Sequence, residues 1–188
     1  VIAAVDKYAN LLRLAAATPG NDLRLGAAEA PPAIISVFLG DALTNLLKSL
    51  AQGHAYEMGS RGALLTGVKS LPLLMVDDND RNRTSPFAFT GNKFEFRMVG
   101  SSQSIGLANA VLGAAVADQF RLFAEKLETA ENVEATVAEI VHDVWEAHSR
   151  VIFNGNNYAE EWVEEAARRG LPNIPTMVDA AGAFVDEE

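Results

Sequence analysis

The segment from Asn92 to Met98 alternates charged and apolar side chains, with Lys93, Glu95 and Arg97 at the charged positions. In a β-strand these three side chains point to one side, with roughly 7 Å between successive members. A carboxylate between two cations could hold a divalent metal while the cations hold the oxyanions of a phosphate. A solvent-exposed strand face of alternating charge has the same pattern, and spacing alone favours this second interpretation.

Glu29 is a second candidate, in a loop of small residues that follows Arg24. A carboxylate on such a loop can swing over a site as a base or a lid. The alternative is an ordinary surface acid in an exposed loop, and spacing alone again favours that alternative.

Charge is unevenly distributed along this acidic chain, whose formal net charge is −10 and whose isoelectric point is near 4.8. Nucleic acids and anionic membranes are held mainly by clustered Lys and Arg, so we predict neither of them as a partner. The stretch from Arg81 to Arg97 nevertheless contains four cations and one acid. It therefore offers a local basic site for a bound anion.

The 188 residues, 49% of them hydrophobic, are typical of one globular domain with a sizeable core. The absence of cysteine excludes disulfide frameworks, zinc ribbons and thiol nucleophiles, and favours a reducing compartment. No apolar run approaches the ~20 residues that span a bilayer. A helical pattern that begins at Val1 without a cap or a start methionine suggests that the chain was cut from something longer.

The hydrophobic periodicity predicts an α+β fold of mostly antiparallel strands backed by amphipathic helices. A polar loop is expected at residues 20–32, and Asp41 is expected to cap a helix. Helices are expected at residues 1–17, 41–53, 105–127, 133–151 and 158–169, and strands at 33–38, 71–76 and 92–98.

Two segments carry a more specific signal, namely residues 80–97 (DRNRTSPFAFTGNKFEFR) and 20–32 (GNDLRLGAAEAPP). Both resemble type III glutamine synthetase, the large bacterial form of glutamate–ammonia ligase. The likeness continues through AIISVFLG and the C-terminal FNGNNYAEEWVEEAARRGLPN, so it covers nearly the whole chain. It implies that residues 1–188 form the C-terminal portion of the catalytic domain. The N-terminal β-grasp domain and the first part of the catalytic domain are expected to lie outside these residues.

The resemblance implies ATP-dependent ligation of ammonia to glutamate, through γ-glutamyl phosphate, at a site with two divalent metals, Mg²⁺ or Mn²⁺. The expected partners are glutamate, ammonia and ATP, in a cytoplasmic homo-oligomer built as stacked hexameric rings. Most of the metal and nucleotide ligands belong to upstream segments in the family. The 188-residue piece by itself is therefore expected to be inactive.

The resemblance also implies a role for each candidate in the loop and in the N-R-T sequence. Glu29 corresponds to the family's flap glutamate, which takes a proton from ammonium and shields the acyl phosphate from water. Arg24 resembles the arginine that holds the carboxylate of the substrate glutamate. Arg83 resembles the arginine placed on the transferring phosphate, and so also contacts the nucleotide.

The resemblance also implies a role for each charged residue of the strand. Lys93 resembles a nucleotide-contacting cation, and Glu95 resembles a ligand of the metal that bridges the ATP phosphates. Arg97 resembles a second arginine for the γ-phosphate and the substrate.

Two other functions remain open at the level of sequence. One is a γ-glutamyl ligase of the same fold that uses an amine other than ammonia. The other is a non-catalytic relative that serves in assembly or regulation.

Overall fold

The computed structural model describes residues 1–54, 63–64, 74–75 and 84–184. The helices are α1 (Ile2–Lys7), α2 (Ala9–Ala15), α3 (Pro19–Arg24), α4 (Asp41–Ala51), α5 (Gly106–Glu128), α6 (Val133–His148), α7 (Glu160–Arg168) and α8 (Met177–Ala180). The strands are β1 (Val37–Phe38), β2 (Ala63–Leu64), β3 (Leu74–Met75), β4 (Phe87–Phe89) and β5 (Phe94–Phe96). Short 3₁₀ turns occur at Ser149–Val151 and Ala181–Phe184.

The described strands form a three-stranded sheet in the order β1-β4-β5 and a separate pair, β2 with β3. β4 and β5 are antiparallel, with Phe87 opposite Phe96, and β2 and β3 are also antiparallel. β1 pairs with β4 in parallel, with Val37 opposite Phe87. Small sheets and long helices occur together, so the predicted α+β class is confirmed.

The N-terminal helical pattern is divided at Tyr8 into α1 and α2 and does not form the single helix predicted. Tyr8 has φ −109° and ψ 25°. Its N–H still donates to the Ala4 carbonyl, and its own carbonyl accepts from the Leu12 N–H, both at 3.0 Å. The chain therefore bends at Tyr8 while the helical hydrogen bonds continue through it.

The predicted loop at residues 20–32 is wrong for its first part, because α3 extends through Arg24. Thr18 Oγ1 accepts a hydrogen bond from the Asn21 N–H at 3.1 Å. The proline after Thr18 occupies the first turn of α3, where its missing N–H would have had no helical partner. The Thr-Pro-Gly sequence, expected to end a helix, thus begins another one.

Two of the predicted strands are shorter than expected, and the third is present in its described part. β1 forms only the last two residues of the predicted strand at 33–38, and Ile34 instead bridges Asn173. β5 forms the centre of the strand predicted at 92–98. β3 lies within the strand predicted at 71–76, whose other residues are outside the described part.

Two helix boundaries also differ from expectation. Asp41 is the first residue of α4 and not its cap, because Gly40 occupies the cap position with φ 78°. This left-handed backbone conformation favours glycine. α6 ends at His148, and the chain continues in a 3₁₀ turn to Val151.

The core lies between α1, α2, β1, β4 and α7. Trp162, Phe87, Leu12 and Val37 are among the side chains that are almost fully buried there. The Phe153 ring stacks on Trp162 with 3.9 Å between ring centroids, and the Phe153 N–H donates to the Val37 carbonyl at 2.9 Å. The packing therefore joins α7 to β1.

α5, of 23 residues, packs against α1 and α2. Asp118 of α5 accepts hydrogen bonds from the Tyr8 hydroxyl at 2.7 Å, from Arg121 at 3.0 Å and from Lys7 at 3.1 Å. These bonds, with that from Tyr8 the largest cause, hold the pKa of the Asp118 carboxyl well below its usual range. No helix in the described ranges is long and apolar enough to cross a membrane.

Candidate functional site

β5 presents the charged face that its alternating sequence predicts. Phe94 and Phe96 pack on Phe87 of β4, with ring centroids 5.5 Å and 5.9 Å apart. Successive side chains of a strand point to opposite sides, so this packing turns Glu95 away from the aromatic cluster.

Glu95 forms ion pairs with both cations of the charged face. Arg97 Nε and Nη2 each donate to Glu95 Oε2 at 3.1 Å, and Lys93 Nζ lies 3.3 Å from Glu95 Oε1. These hydrogen bonds, with Arg97 the larger cause, hold the pKa of the Glu95 carboxyl below its usual range. The exposed fraction of the side chain is 63% for Lys93 and 17% for Arg97, so Arg97 lies at the inner end of the charged face.

Arg24 is fixed at the end of α3 by the buried Asn21. Asn21 Oδ1 accepts from Arg24 Nε at 2.9 Å, and Asn21 Nδ2 donates to the carbonyls of Ala16 and Met98 at 2.6 Å and 2.8 Å. Arg24 Nη2 donates to the same Met98 carbonyl at 2.7 Å. Met98 directly follows Arg97, so these bonds place the end of α3 beside the inner end of the charged strand face.

Glu29 lies in an exposed loop whose base is closed by backbone hydrogen bonds. The Gly26 N–H donates to the Ala30 carbonyl at 3.2 Å and to the Pro31 carbonyl at 3.0 Å. Gly26 has φ 80°, a conformation that residues with a Cβ rarely adopt. The hydroxyl of Tyr158 donates to the backbone carbonyl of Glu29 at 3.1 Å. The loop therefore contacts both its own base and the C-terminal part of the chain.

Arg24, Glu29 and Arg97 line one cleft of about 60 Å³, together with Ser85 and Tyr158. Two cations and a carboxylate in one cleft can bind an anionic group and move a proton beside it. Small-molecule sites commonly have volumes of about 300–1,000 Å³. The cleft lined by the described residues is therefore smaller than a typical small-molecule site.

Three of the six predicted site residues, namely Arg24, Glu29 and Arg97, line the cleft. Lys93 and Glu95 share the strand face with Arg97 but do not line the cleft. Arg83 lies outside the described residues. The roles of all six stay predictions.

The charged face by itself is not a complete metal site. Within the part of the chain that the structure describes, no three His, Cys, Asp or Glu side chains come together as a metal-binding group. Glu95 carries an ionised carboxylate, the kind of oxygen ligand that Mg²⁺ and Mn²⁺ prefer. Its chemistry therefore fits one position in the coordination shell of such an ion.

Sequence reasoning missed two residues of this region, Asn21 and Tyr158. Both lie in polar sequences, GND and NGNNY, that are part of the family resemblance, and loops often carry functional residues. No local pattern indicates that their hydrogen-bond partners are Met98 and Glu29.

Comparison with known proteins shows a similarity to glutamine synthetases. Residues 136–188 match the family model described as the glutamine synthetase C-terminal domain. Over its whole length the chain aligns with a glutamine synthetase from Butyrivibrio fibrisolvens, with 42% identity over 197 aligned residues. The chain is therefore similar to a glutamine synthetase over its whole length.

Two further relatives extend this result. A type-3 glutamine synthetase from Dictyostelium discoideum is 44% identical over 96% of the chain. A glutamine synthetase from Bacteroides fragilis is 39% identical over the entire chain. These matches confirm the predicted resemblance to type III glutamine synthetase. The chain spans about a quarter of the length of these curated relatives, between 25% and 27%.

Proposed function

We propose that the protein carrying this chain is a glutamate–ammonia ligase. It forms γ-glutamyl phosphate from glutamate and ATP, and ammonia then displaces the phosphate to give glutamine. The similarity to glutamine synthetases supports this activity. The observation that carries the proposal at the level of residues is the meeting of Arg24, Glu29 and Arg97 in one cleft.

The three cleft residues have complementary roles in this proposal. Arg24 holds a carboxylate of the substrate glutamate, and Arg97 contacts the phosphate that is transferred. Glu29 takes a proton from ammonium and shields the acyl phosphate from water. Phosphoryl transfer depends mainly on positioning and on neutralising charge, which two fixed arginines can provide.

The remaining candidates contact the nucleotide and its metal in the same proposal. Lys93 and Arg83 bind ATP phosphates, and Glu95 supplies one ligand to Mg²⁺ or Mn²⁺. A bound divalent cation neutralises negative charge on the phosphates. The position of Glu95 beside Arg97 supports this assignment, because a carboxylate oxygen suits a divalent cation and an arginine suits a phosphate.

The organisation of the protein is part of the proposal. Residues 1–188 belong to the C-terminal portion of the catalytic domain, in a cytoplasmic homo-oligomer of stacked hexameric rings. The similarity to glutamine synthetases supports these assignments.

The decisive experiment measures glutamine formation from glutamate, ammonium and ATP by the full-length protein that carries this sequence. Glu95→Ala is expected to abolish this activity and to weaken Mn²⁺ binding, because it removes a metal ligand. If the charged strand face is only a solvated surface, Glu95→Ala retains wild-type turnover and Mn²⁺ binding, and the site assignment fails.

A matched control distinguishes the loss of a metal ligand from the loss of one negative charge. Glu164→Ala removes an exposed acid from α7 and is expected to leave turnover unchanged. Replacing ammonium with polyamines tests the choice of amine. Turnover with a polyamine and none with ammonium would contradict the proposed ligase activity.

A further inference from the structure

Tyr158 connects the loop that carries Glu29 to a distant part of the chain. Its hydroxyl donates to the Glu29 backbone carbonyl at 3.1 Å, across 129 positions of sequence. The Tyr158 side chain also lines the cleft that contains Glu29, Arg24 and Arg97. One side chain therefore contacts the backbone of Glu29 and also lines the cleft that Glu29 lines.

The segment that carries Tyr158 is firmly anchored. Asn157, next to it, is completely buried and donates from Nδ2 to Ser36 Oγ at 2.8 Å. Asn154 Oδ1 accepts from the N–H groups of Leu39 and Gly40, each at 3.1 Å. These bonds attach the segment to β1 and to the start of α4.

The loop at residues 26–29 is exposed over its whole length. Its base is closed by the hydrogen bonds of Gly26, and the Ala27 N–H donates to the Arg24 carbonyl at 3.2 Å. Tyr158 adds a contact at Glu29 itself, from outside the loop. The tyrosine is therefore placed to decide whether Glu29 stays over the cleft.

We propose that Tyr158 is a latch, a positioning residue whose hydroxyl holds the Glu29 loop closed over the cleft. This inference rests on the proposed ligase function. When the loop opens, water can attack the γ-carbonyl carbon of γ-glutamyl phosphate. The bond from that carbon to the phosphate oxygen then breaks, giving glutamate and inorganic phosphate without glutamine. Tyr158 thus limits wasteful hydrolysis of ATP.

Tyr158→Phe removes the latch hydroxyl and keeps the aromatic ring. We expect the ratio of phosphate released to glutamine formed to rise by roughly 2- to 10-fold in the full-length enzyme, the range for losing one neutral hydrogen bond. The rise should be greatest at low ammonium, where water competes best. Initial rates of phosphate release and glutamine formation, measured together across ammonium concentrations, give this ratio.

Tyr8→Phe is the matched control, because the Tyr8 hydroxyl also donates one side-chain hydrogen bond, to Asp118, but lies outside the cleft. It is expected to leave the ratio of phosphate to glutamine at the wild-type value. A purely structural effect of Tyr158→Phe would lower both rates in parallel and leave the ratio unchanged, which would overturn the latch.

Hydrogen exchange of the loop provides a second measurement that needs no turnover. Amides of residues 26–30 are expected to exchange faster in Tyr158→Phe than in the wild type, and not in Tyr8→Phe. Equal exchange in all three proteins would overturn the latch. If the wild-type protein makes no glutamine, the proposed function fails, and loop exchange still decides whether Tyr158 holds the loop.

Discussion

At the scale of single residues, Asn21 links two site elements that are far apart in sequence. Its side chain is 1% exposed and uses both amide hydrogens and its oxygen, on Ala16, Met98 and Arg24. A buried amide with every partner satisfied has one favoured orientation, because any other would leave buried polar groups unpaired. Arg24 therefore enters the cleft in a fixed direction.

Glu29 provides a residue-scale prediction. Glu29→Gln is expected to slow glutamine formation by about 10²- to 10⁴-fold, because the amide cannot accept the proton of ammonium. ATP affinity should be unchanged, since Glu29 is not among the proposed phosphate contacts. Steady-state rates at varied ammonium and calorimetric titration with ATP measure these two quantities.

The control for this substitution is Glu160→Gln, which changes an exposed acid at the start of α7. Its turnover should equal that of the wild type. Wild-type turnover in Glu29→Gln would show that Glu29 is an ordinary surface acid, the alternative that spacing alone favours.

At the scale of elements, α3 is a short helix whose last residue, Arg24, lines the cleft. It has six residues, too few to be stable from helix propensity alone, so its cap and its tertiary contacts hold it. Thr18 caps its first turn and Asn21 binds its last residue, Arg24. Loss of the cap is therefore expected to loosen the arginine at the other end.

Thr18→Ala tests this link between cap and site. Removing an N-cap costs about 1 kcal/mol, which corresponds to about a fivefold change in an equilibrium. We expect the KM for glutamate to rise by about that factor with little change in kcat, because Arg24 is proposed to bind glutamate. Kinetics of the full-length enzyme at varied glutamate measure the change.

Two further variants test whether the change in KM comes from the cap of α3. Thr18→Ser keeps the capping oxygen and should restore the wild-type KM. Asn132→Ala removes the cap of α6, where Asn132 Oδ1 accepts from the Ala135 N–H at 3.1 Å, and should not alter the KM. An equal rise in KM in Asn132→Ala would assign the effect to general stability.

At the scale of the whole molecule, Trp162 joins α7 to the hydrophobic core. It is 2% exposed and stacks on Phe153, whose N–H is bonded to β1. The same β1 pairs with β4, which supports β5 and its charged face. The C-terminal third of the chain therefore supports the sheet that carries the site.

Trp162→Ala is expected to lower the free energy of unfolding by about 3–5 kcal/mol, the usual cost of truncating a buried large aromatic side chain. Trp162→Phe should cost much less, since it keeps an aromatic ring and removes an indole N–H that finds no partner among the described residues. Trp145→Ala, at a half-buried tryptophan, should also cost less. Chemical unfolding of the full-length protein measures all three variants, and equal losses would contradict this packing.

Local pattern was sufficient to predict several elements. The alternation of phenylalanine with charged residues predicted β5 and its faces, because side chains of a strand alternate by geometry. Apolar periodicity predicted the long helices α5 and α6. The sequence pattern did not predict α3, because Pro19 is compatible with the start of a helix as well as with the end of one. The hydrogen bond from the Asn21 N–H to Thr18 shows that a helix starts here.

The sequence by itself predicted the fold class, because local periodicity carries that information. The resemblance of residues 20–32 and 80–97 to type III glutamine synthetase supplied the candidate site residues. The tertiary structure decided which candidates meet. Arg24 reaches Met98 across 74 positions and Tyr158 reaches Glu29 across 129, and no local periodicity encodes contacts over such separations. These contacts form only when packing of the core brings α3, β5 and the C-terminal segment together, because each hydrogen bond contributes too little to do so alone.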